Sequence, residues 1–321
     1  MSLTIAIPEP SRHPLLASGR ESQAIESREP AHVEVARSRY RNLVVELDPA
    51  DRTYWCFMRP EGRPSFTPDL IRDASEMQRA LQRLFAERSG EPQTPCDYYI
   101  SGSAIPGIFN LGGDLRLFRE AIRSGDRAGL RRYGRACIEI AYRTATAFDL
   151  PVITIALIQG DALGGGFESA LAHDLIIAER QAKMGLPEIL FNLFPGMGAY
   201  SFLSRRVGVV TAERMITSGR LYTAEEMHEA GVVDILAEPG RGVEAVRSYV
   251  QQQRRRHATH QALYQVRRRV NPVTIEELHD VVDIWVDTAL KLGEADLKKM
   301  ERLTAAQDRR QATIAAPIAA E

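Results

Sequence analysis

Short apolar runs alternate with helical patterns through the first part of the chain. Strands are predicted in RNLVVELD and RTYWCFMRP, which a turn at residues 49–51 joins as a hairpin, and later in CDYYISGS, PVITIALIQGD and DLIIAER. Helices are predicted from about Pro68 to Arg88, in the arginine-rich stretch after residue 114, and in FESALAHD. A continuous β-branched run such as PVITIALI is typical of a strand covered on both faces. The alternation therefore favours an α/β layered fold with βαβ crossovers.

The two ends and the C-terminal third differ from this core. From Met197 onward the apolar spacing is largely helical, with one strand-like segment, VVDILAE, at residues 232–238. Residues 1–38 and 311–321 lack sustained periodicity and are rich in small residues or proline. We predict a flexible N-terminal extension at 1–38, a core at 39–240, a helical C-terminal region at 241–310 and a disordered tail at 311–321.

Composition and charge exclude several classes of protein. Hydrophobic residues make up 44% of the 321 positions and charged residues 26%, which is ordinary globular composition. With 41 Lys and Arg against 42 Asp and Glu, no overall charge attracts nucleic acid. The strongest apolar run, residues 151–158, is far shorter than the roughly 20 residues that span a bilayer. We expect neither nucleic-acid binding nor membrane insertion.

The cysteines and the first residues bear on location. The three cysteines are far apart and fit neither metal-ligand spacing nor a disulfide framework, so we expect no metal site. The first residues lack the basic start, apolar core and cleavage site of a signal peptide. A reducing cytoplasm is the simplest interpretation.

The candidate chemistry lies in two glycine-containing loops. In GDALGGGFES a strand ends in a glycine run directly before a helix, which leaves backbone N–H groups uncovered. A second loop, FNLGGD at 109–114, also follows a strand and precedes a helix. Each loop can supply one donor to the same developing oxyanion.

Two glutamates accompany these loops. Glu168 lies three residues beyond Gly165, and Glu188 lies twenty positions later in a Gly-Leu-Pro-Glu turn. If both converge on one cavity, their like charges raise one carboxyl pKa, which leaves one protonated and one ionised group near neutral pH. That pair suits general acid–base catalysis.

Each feature alone has a simpler interpretation. A glycine triplet is usually a tight turn, Glu168 suits a first helical turn, and Glu188 suits a solvated loop. The glycines do not fit the dinucleotide-binding pattern G-x-G-x-x-G. Asp114, His173 and Asp174 are expected to be structural. The ordered set of both loops and both glutamates favours the catalytic interpretation.

The order FNLGGD, GDALGGGFESALAHD and GLPEILFNLFPGMG resembles the crotonase (enoyl-CoA hydratase/isomerase) superfamily over residues 40–240. The resemblance implies a crotonase-type ββα spiral with a helical C-terminal region, assembled as a homotrimer. It implies Gly113 and Gly165 as oxyanion donors and Glu168 and Glu188 as the acid–base pair. It implies no metal or redox cofactor. The acyl group would arrive on acyl carrier protein or coenzyme A.

Within the superfamily, the chain resembles the bacterial diffusible-signal-factor synthases in YYISGSAIPGIFNLGGDL, GGGFESAL, MGLPEILFNLFPGMGAYSFLSR and WVDTALKL. This resemblance implies that the chain dehydrates a 3-hydroxyacyl-acyl carrier protein to a cis-2-enoyl thioester and then hydrolyses the thioester to a fatty acid signal. Some also bind a sensor protein. The alternatives are a conventional enoyl-CoA hydratase or isomerase of fatty acid breakdown, and a non-catalytic acyl-thioester or partner-binding protein. The paired glutamates count against the last.

Two further features have both functional and structural interpretations. Apolar side chains after the second glutamate suit either an acyl-tail pocket or ordinary core packing; they are Phe191, Phe194, Met197, Trp285 and Leu290. The arginine-rich stretch suits either docking of acidic acyl carrier protein or a solvated helix face; its members are Arg116, Arg119, Arg123, Arg127, Arg131, Arg132 and Arg135.

Overall fold

The computed structural model describes residues 29–315. Residues 1–28 of the predicted extension and 316–321 of the predicted tail lie outside the described residues. The strands are β1 (Leu43–Asp48), β2 (Thr53–Met58), β3 (Tyr98–Ser103), β4 (Ile108–Asn110), β5 (Ile153–Ile158), β6 (Asp161–Leu163), β7 (Leu175–Glu179), β8 (Lys183–Gly185), β9 (Leu221–Thr223) and β10 (Ile235–Ala237).

Helices follow most of the strand pairs. They are α1 (Ala31–Ala36), α2 (Pro68–Glu87), α3 (Leu115–Ser124), α4 (Arg127–Ala145), α5 (Gly165–Leu171), α6 (Ala199–Val207), α7 (Val209–Ser218), α8 (Ala224–Glu229), α9 (Gly242–Gln253), α10 (His257–Val270), α11 (Ile275–Ala289) and α12 (Glu294–Ala315). Short 3₁₀ helices cover Ala147–Asp149, Pro187–Phe191 and Arg254–Arg256. None of the described helices combines the length and apolar character needed to cross a membrane.

The strands form two sheets. The larger sheet has the order β1-β2-β3-β5-β7-β10, in which only the predicted β1–β2 hairpin is antiparallel. The smaller sheet has the order β4-β6-β8-β9. Each of β3, β5 and β7 continues into a short strand of the smaller sheet, and β4 and β6 each lead into a helix. This succession is the ββα spiral that the resemblance implies, so the predicted α/β fold class is confirmed.

The larger sheet has a hydrophobic core on each face, and β5 contributes side chains to both cores. All six residues of β5 are buried, as predicted for a strand covered on both faces. Ile153 and Ile155 pack with Val246 of α9 on one face of the sheet. Ala156 and Ile158 pack on the opposite face, in the larger core that includes α2 and α4. Successive strand residues point to opposite faces, so one apolar run supplies both cores.

The arginine-rich stretch forms α3 and α4 and pairs with acidic residues of α11 and α12. The pairs are Arg116–Asp308, Arg119–Glu301, Arg123–Glu294, Arg127–Asp287, Arg131–Asp283 and Arg135–Asp283. Neither interpretation from the sequence included this pairing. These six arginines help attach the C-terminal helices to the core and are not a free basic patch.

Some predicted boundaries differ from the described elements. The strand predicted at residues 232–238 is the shorter β10, and the short strands β4, β8 and β9 were not predicted. The chain at residues 31–36, inside the predicted extension, is helical, and the boundary at residue 310 falls inside α12. The helix continues through this boundary, although the small residues beyond it give no amphipathic pattern in the sequence.

Candidate active site

The two glycine loops predicted from the sequence touch each other. A Cβ atom added at Gly112 would lie 2.7 Å from the carbonyl oxygen of Leu163 and 3.0 Å from the nitrogen of Gly165. A Cβ atom at Gly165 would lie 3.4 Å from the nitrogen of Gly113. Glycine is therefore needed at position 112, where a side chain would meet the facing backbone. At Gly165 a Cβ atom would be at ordinary contact distance from the facing loop and would instead meet Met197 Sδ at 2.5 Å.

The contact brings the two proposed oxyanion donors into one cavity. The backbone of Gly113 and of Gly165 lines this cavity. Within residues 29–315, neither N–H donates a hydrogen bond to another protein group. The N–H of Gly112, by contrast, donates to Asn110 Oδ1 at 2.8 Å. Two uncommitted N–H groups beside one cavity can both donate to one ligand oxygen.

Glu168 is held rigidly in the first turn of α5. Its side chain is buried, and Oε1 accepts hydrogen bonds from the N–H groups of Met197 at 2.7 Å and Ala199 at 2.9 Å. Burial raises the pKa of Glu168 to about 7, although these two N–H groups act in the opposite direction by stabilising the carboxylate. These two donors were not predicted from the sequence. The glycines at 196 and 198, directly before α6, were the available signal.

Glu188 lies in the 3₁₀ helix that follows β8 and has fewer polar contacts. Its Oε2 atom is buried without a hydrogen-bond partner in the described part of the chain. Its Oε1 atom lies only 2.3 Å from where a Cβ atom of Gly164 would be. Burial, and then the charge of Glu168, raise the pKa of Glu188 well above its usual range.

The two carboxyl groups differ in the way that acid–base chemistry requires. Glu168 has two N–H donors that favour its charged form, whereas Glu188 Oε2 has no hydrogen-bond partner within residues 29–315. The charge of the pair is therefore favoured on Glu168 and the proton on Glu188. One group can then accept a proton while the other donates one.

The shared cavity has a volume of about 270 Å³. Of the residues predicted for an acyl-tail pocket, Phe191, Met197 and Trp285 line it. Phe194 and Leu290 do not line it; they are half-buried against the core instead. Leu290 is five residues beyond Trp285, which places it about 140° away around the helix axis.

Phe194 lies outside the cavity for a different reason. Asn192, between Phe191 and Phe194, has a φ of 61°, so the chain turns sharply after the 3₁₀ helix. A helical spacing from Phe191 therefore does not extend to Phe194. Apolar spacing in the sequence does not reveal such a turn.

Several lining residues were not predicted. Phe118 and Tyr133 come from the arginine-rich stretch. The charges of that stretch are its dominant sequence signal, and its aromatic residues do not stand out. Leu303 and Ala306 come from α12, which covers part of the cavity. Their sequence signal is weak because residues distant along the chain meet only in the folded protein.

His173 and Asp174 have the structural roles predicted for them. Neither lines the active-site cavity. His173 Nε2 lies 2.8 Å from Ser101 Oγ, and burial lowers the pKa of His173 to about 4. Asp174 accepts hydrogen bonds from the N–H of Thr154 and from Arg268. Asp114, also predicted to be structural, caps the N-terminus of α3.

The ββα spiral, with two facing glycine loops and two buried glutamates, defines a crotonase-type protein. Residues 100–301 match the family model described as enoyl-CoA hydratase/isomerase. The chain belongs to the enoyl-CoA hydratase/isomerase family.

Individual relatives extend the comparison. The chain is 38% identical to rat mitochondrial methylglutaconyl-CoA hydratase over 181 residues, which are 56% of this chain and 52% of the rat protein. The match thus spans about half the length of that relative. The human mitochondrial Δ3-Δ2-enoyl-CoA isomerase has the same fold, with a TM-score of 0.68 at 18% identity, covering 84% of this chain and 99% of the isomerase. DspI of Pseudomonas aeruginosa has a TM-score of 0.59 at 25% identity, covering 73% of this chain and 84% of DspI.

We expect Glu188→Gln to change the pH dependence of stability. Both glutamates have raised pKa values in the folded chain, so the folded chain binds their protons more tightly than the unfolded chain. The free energy of unfolding should therefore fall as pH rises from about 4.5 through about 7, by on the order of 1.4 kcal/mol per unit of pKa shift. Glu188→Gln removes one raised pKa and should flatten this fall in urea unfolding at pH 5 and pH 8.

Glu229→Gln is the matched control, because the side chain of Glu229 is exposed. Its free energy of unfolding should change with pH in parallel with that of the wild type. A Glu188→Gln curve that is also parallel would contradict the buried pair.

We expect Gly164→Ala to be more destabilising than Gly231→Ala. Both glycines have positive φ, at 51° and 77°. The ψ of −126° at Gly164 lies outside the left-handed helical region, so alanine there is strained by more than the roughly 1–2 kcal/mol of that region. Only at Gly164 would the new Cβ atom meet Glu188, whereas nothing lies within 4 Å at Gly231. Urea unfolding should therefore show a clearly larger loss for Gly164→Ala. Equal losses would mean that the carboxylate moves aside freely.

Proposed function

We propose that this chain adds or removes water across the C2–C3 bond of an acyl thioester, with Glu168 and Glu188 as the acid–base pair. One observation carries the proposal: two buried carboxyl groups share a cavity with two backbone N–H groups that have no protein acceptor among residues 29–315. A binding protein has no need for this costly pair of buried carboxyl groups.

The geometry supports the following steps for a 3-hydroxyacyl thioester. The carbonyl oxygen accepts hydrogen bonds from the N–H groups of Gly113 and Gly165. The ionised glutamate takes the proton from C2, and the electron pair moves onto the carbonyl oxygen as an enolate, which the two N–H groups stabilise. The enolate then re-forms the carbonyl and the C2–C3 double bond, while the protonated glutamate donates its proton to the leaving hydroxyl group. One water molecule leaves, and hydration is the reverse.

The lining of the cavity favours an uncharged acyl chain. Its residues are mostly apolar, and none of the lining residues is Lys, Arg or His. A second carboxylate on the acyl chain would be buried beside two glutamates without a counter-charge, which costs several kcal/mol. The rat relative is named for methylglutaconyl-CoA, whose acyl group carries such a carboxylate. We therefore propose a fatty acyl chain for this protein.

Within this reaction class, we propose the synthase direction. A 3-hydroxyacyl group on acyl carrier protein is dehydrated to a cis-2-enoyl thioester, and water then hydrolyses the thioester to the free fatty acid signal. The loop and helix motifs that resemble the diffusible-signal-factor synthases support this proposal. The same N–H pair can stabilise the tetrahedral oxyanion of hydrolysis. By the same resemblance, we propose a homotrimer and a sensor-protein partner.

A conventional enoyl-CoA hydratase or isomerase is the second candidate. The family match and the 38% identity to a hydratase favour it. It uses the same glutamates and N–H groups on coenzyme A thioesters, without hydrolysis. Carrier preference and release of free acid distinguish the two candidates.

The product assay compares these candidates directly. Wild type, Glu168→Ala and Glu188→Ala are each incubated with 3-hydroxydodecanoyl-acyl carrier protein and with crotonyl-CoA, and products are identified by mass spectrometry and by chromatography against cis and trans standards. We expect free cis-2-dodecenoic acid from the wild type. Either substitution should reduce its rate by roughly 10²–10⁴-fold, because each removes a proton-transfer group. Glu229→Ala, at an exposed position, is the matched control and should retain activity.

Other products would change the conclusion. Hydration of crotonyl-CoA without release of free acid would favour the conventional hydratase. Turnover of neither thioester would contradict the proposed chemistry and would favour the alternative of a non-catalytic acyl-thioester-binding protein.

We expect Trp285→Phe to shift substrate preference toward longer acyl chains. Trp285 lines the cavity and is buried, so a smaller ring leaves room for further methylene groups. Each buried methylene contributes about 0.8 kcal/mol, so a chain two carbons longer should gain up to about tenfold in kcat/KM relative to the wild-type optimum. A series of 3-hydroxyacyl thioesters measures this. Leu290→Ala, outside the cavity, should keep the wild-type profile; identical profiles for wild type and Trp285→Phe would remove Trp285 from the acyl site.

A further inference from the structure

The hydroxyl group of Tyr133 connects two segments beside the candidate oxyanion site. It donates a hydrogen bond to the carbonyl oxygen of Phe66 at 2.6 Å. It accepts one from the N–H of Asp114 at 3.1 Å. Tyr133 lies on α4, is buried, and lines the active-site cavity. It does not belong to either glycine loop.

The segments that it connects already pair with each other. The N–H of Phe66 donates to the carbonyl oxygen of Gly112 at 2.8 Å, and the N–H of Leu111 donates to the carbonyl oxygen of Pro64 at 2.7 Å. Phe66 and Gly113 also form an isolated parallel bridge. Tyr133 adds one hydrogen bond to each side of this bridge.

These bonds fix both peptide planes that flank Gly113. The carbonyl of Gly112 and the N–H of Gly113 belong to one planar peptide, so the bond from Phe66 to Gly112 sets the direction of the Gly113 N–H. The next peptide contains the N–H of Asp114, which Tyr133 holds. Tyr133 also holds the carbonyl of Phe66, the residue that orients the first plane.

We propose that Tyr133 is a positioning residue that orients the Gly113 N–H toward the thioester oxygen. The inference rests on the proposed function, because it assigns a task to the oxyanion site. Glycine at 113 has little intrinsic conformational preference, so its orientation depends on such external contacts. Phe118 packs edge-on against the Tyr133 ring, with centroids 5.2 Å apart, and would lie 2.6 Å from a Cβ atom at Gly113. Ring packing therefore locates the loop, while the hydroxyl group sets its peptide planes.

Burial is consistent with this role. It raises the pKa of Tyr133 well above its usual range, so the phenol keeps its proton and remains a hydrogen-bond donor to Phe66. Tyr133→Phe keeps the ring against Phe118 and removes both hydrogen bonds. The change therefore separates the hydroxyl group from the packing.

The test measures polarisation of a bound thioester carbonyl. Butyryl-CoA labelled with ¹³C at the carbonyl has no C3 hydroxyl group and no double bond, so it can be neither hydrated nor dehydrated. Its thioester can still be hydrolysed, so spectra are recorded before free butyrate forms. Infrared difference spectra of wild type, Tyr133→Phe and Tyr99→Phe give the carbonyl stretching frequency of the bound ligand. Tyr99 is the matched control, because it is a buried tyrosine that does not line the cavity.

We expect a lowered carbonyl frequency in wild type and Tyr99→Phe, and a smaller lowering in Tyr133→Phe. With a reactive thioester, Tyr133→Phe should lose roughly 10- to 100-fold in kcat with KM within about threefold, because a misdirected donor acts mainly in the transition state. Equal frequency shifts in Tyr133→Phe and wild type would overturn the positioning role. No shift in the wild type would instead overturn the oxyanion site itself, and with it the proposed function.

A second pair of variants provides a test even where Tyr133→Phe does not fold. Asp114→Ala removes the cap of α3 but keeps the N–H that donates to Tyr133. Replacing Asp114 by lactic acid, the ester counterpart of alanine, removes the same cap and also the N–H without adding atoms between the backbone and Tyr133. A smaller carbonyl shift in the ester variant than in Asp114→Ala supports the role. Equal shifts in this pair overturn it.

Discussion

The contact between the loops at Gly112–Gly113 and Gly164–Gly165 is the constraint on which the rest of the site depends. Its separations leave no room for a side chain at Gly112. Because β4 and β6 pair directly, the ends of these strands bring the loops together, and α3 and α5 then begin on either side of the contact. The fold thereby places two N–H groups beside one cavity.

The paired glutamates beside these loops lower the stability of the folded chain. Two buried carboxyl groups within electrostatic range are unfavourable when both are ionised. The structure offsets this cost unequally, because two N–H groups stabilise Glu168 while Glu188 Oε2 has no partner among the described residues. This inequality favours the charge on Glu168 and the proton on Glu188. A more stable arrangement, with both carboxylates neutralised by cations, would lose the capacity to move that proton.

Local patterns predicted much of the fold and the main site residues. The β1–β2 hairpin, α2 and the buried strand β5 follow from residue types within each segment. The positions of Glu168 and Glu188 in one cavity followed from the order of motifs. What could not be predicted depends on contacts between distant segments: Phe194 turns away after Asn192, and Tyr133 matters only because α4 packs beside the loop at residues 112–114.

The arginine-rich stretch shows why charge in a sequence does not identify a docking surface. Six of its arginines pair with five acidic residues of α11 and α12, so the field of this face is largely cancelled. Steering of an acidic carrier needs uncompensated charge, since paired charges create little field beyond a few ångströms. The pairing instead holds α12 beside α3, where Leu303 and Ala306 complete the wall of the cavity. These arginines therefore contribute to the cavity through the helix that they retain.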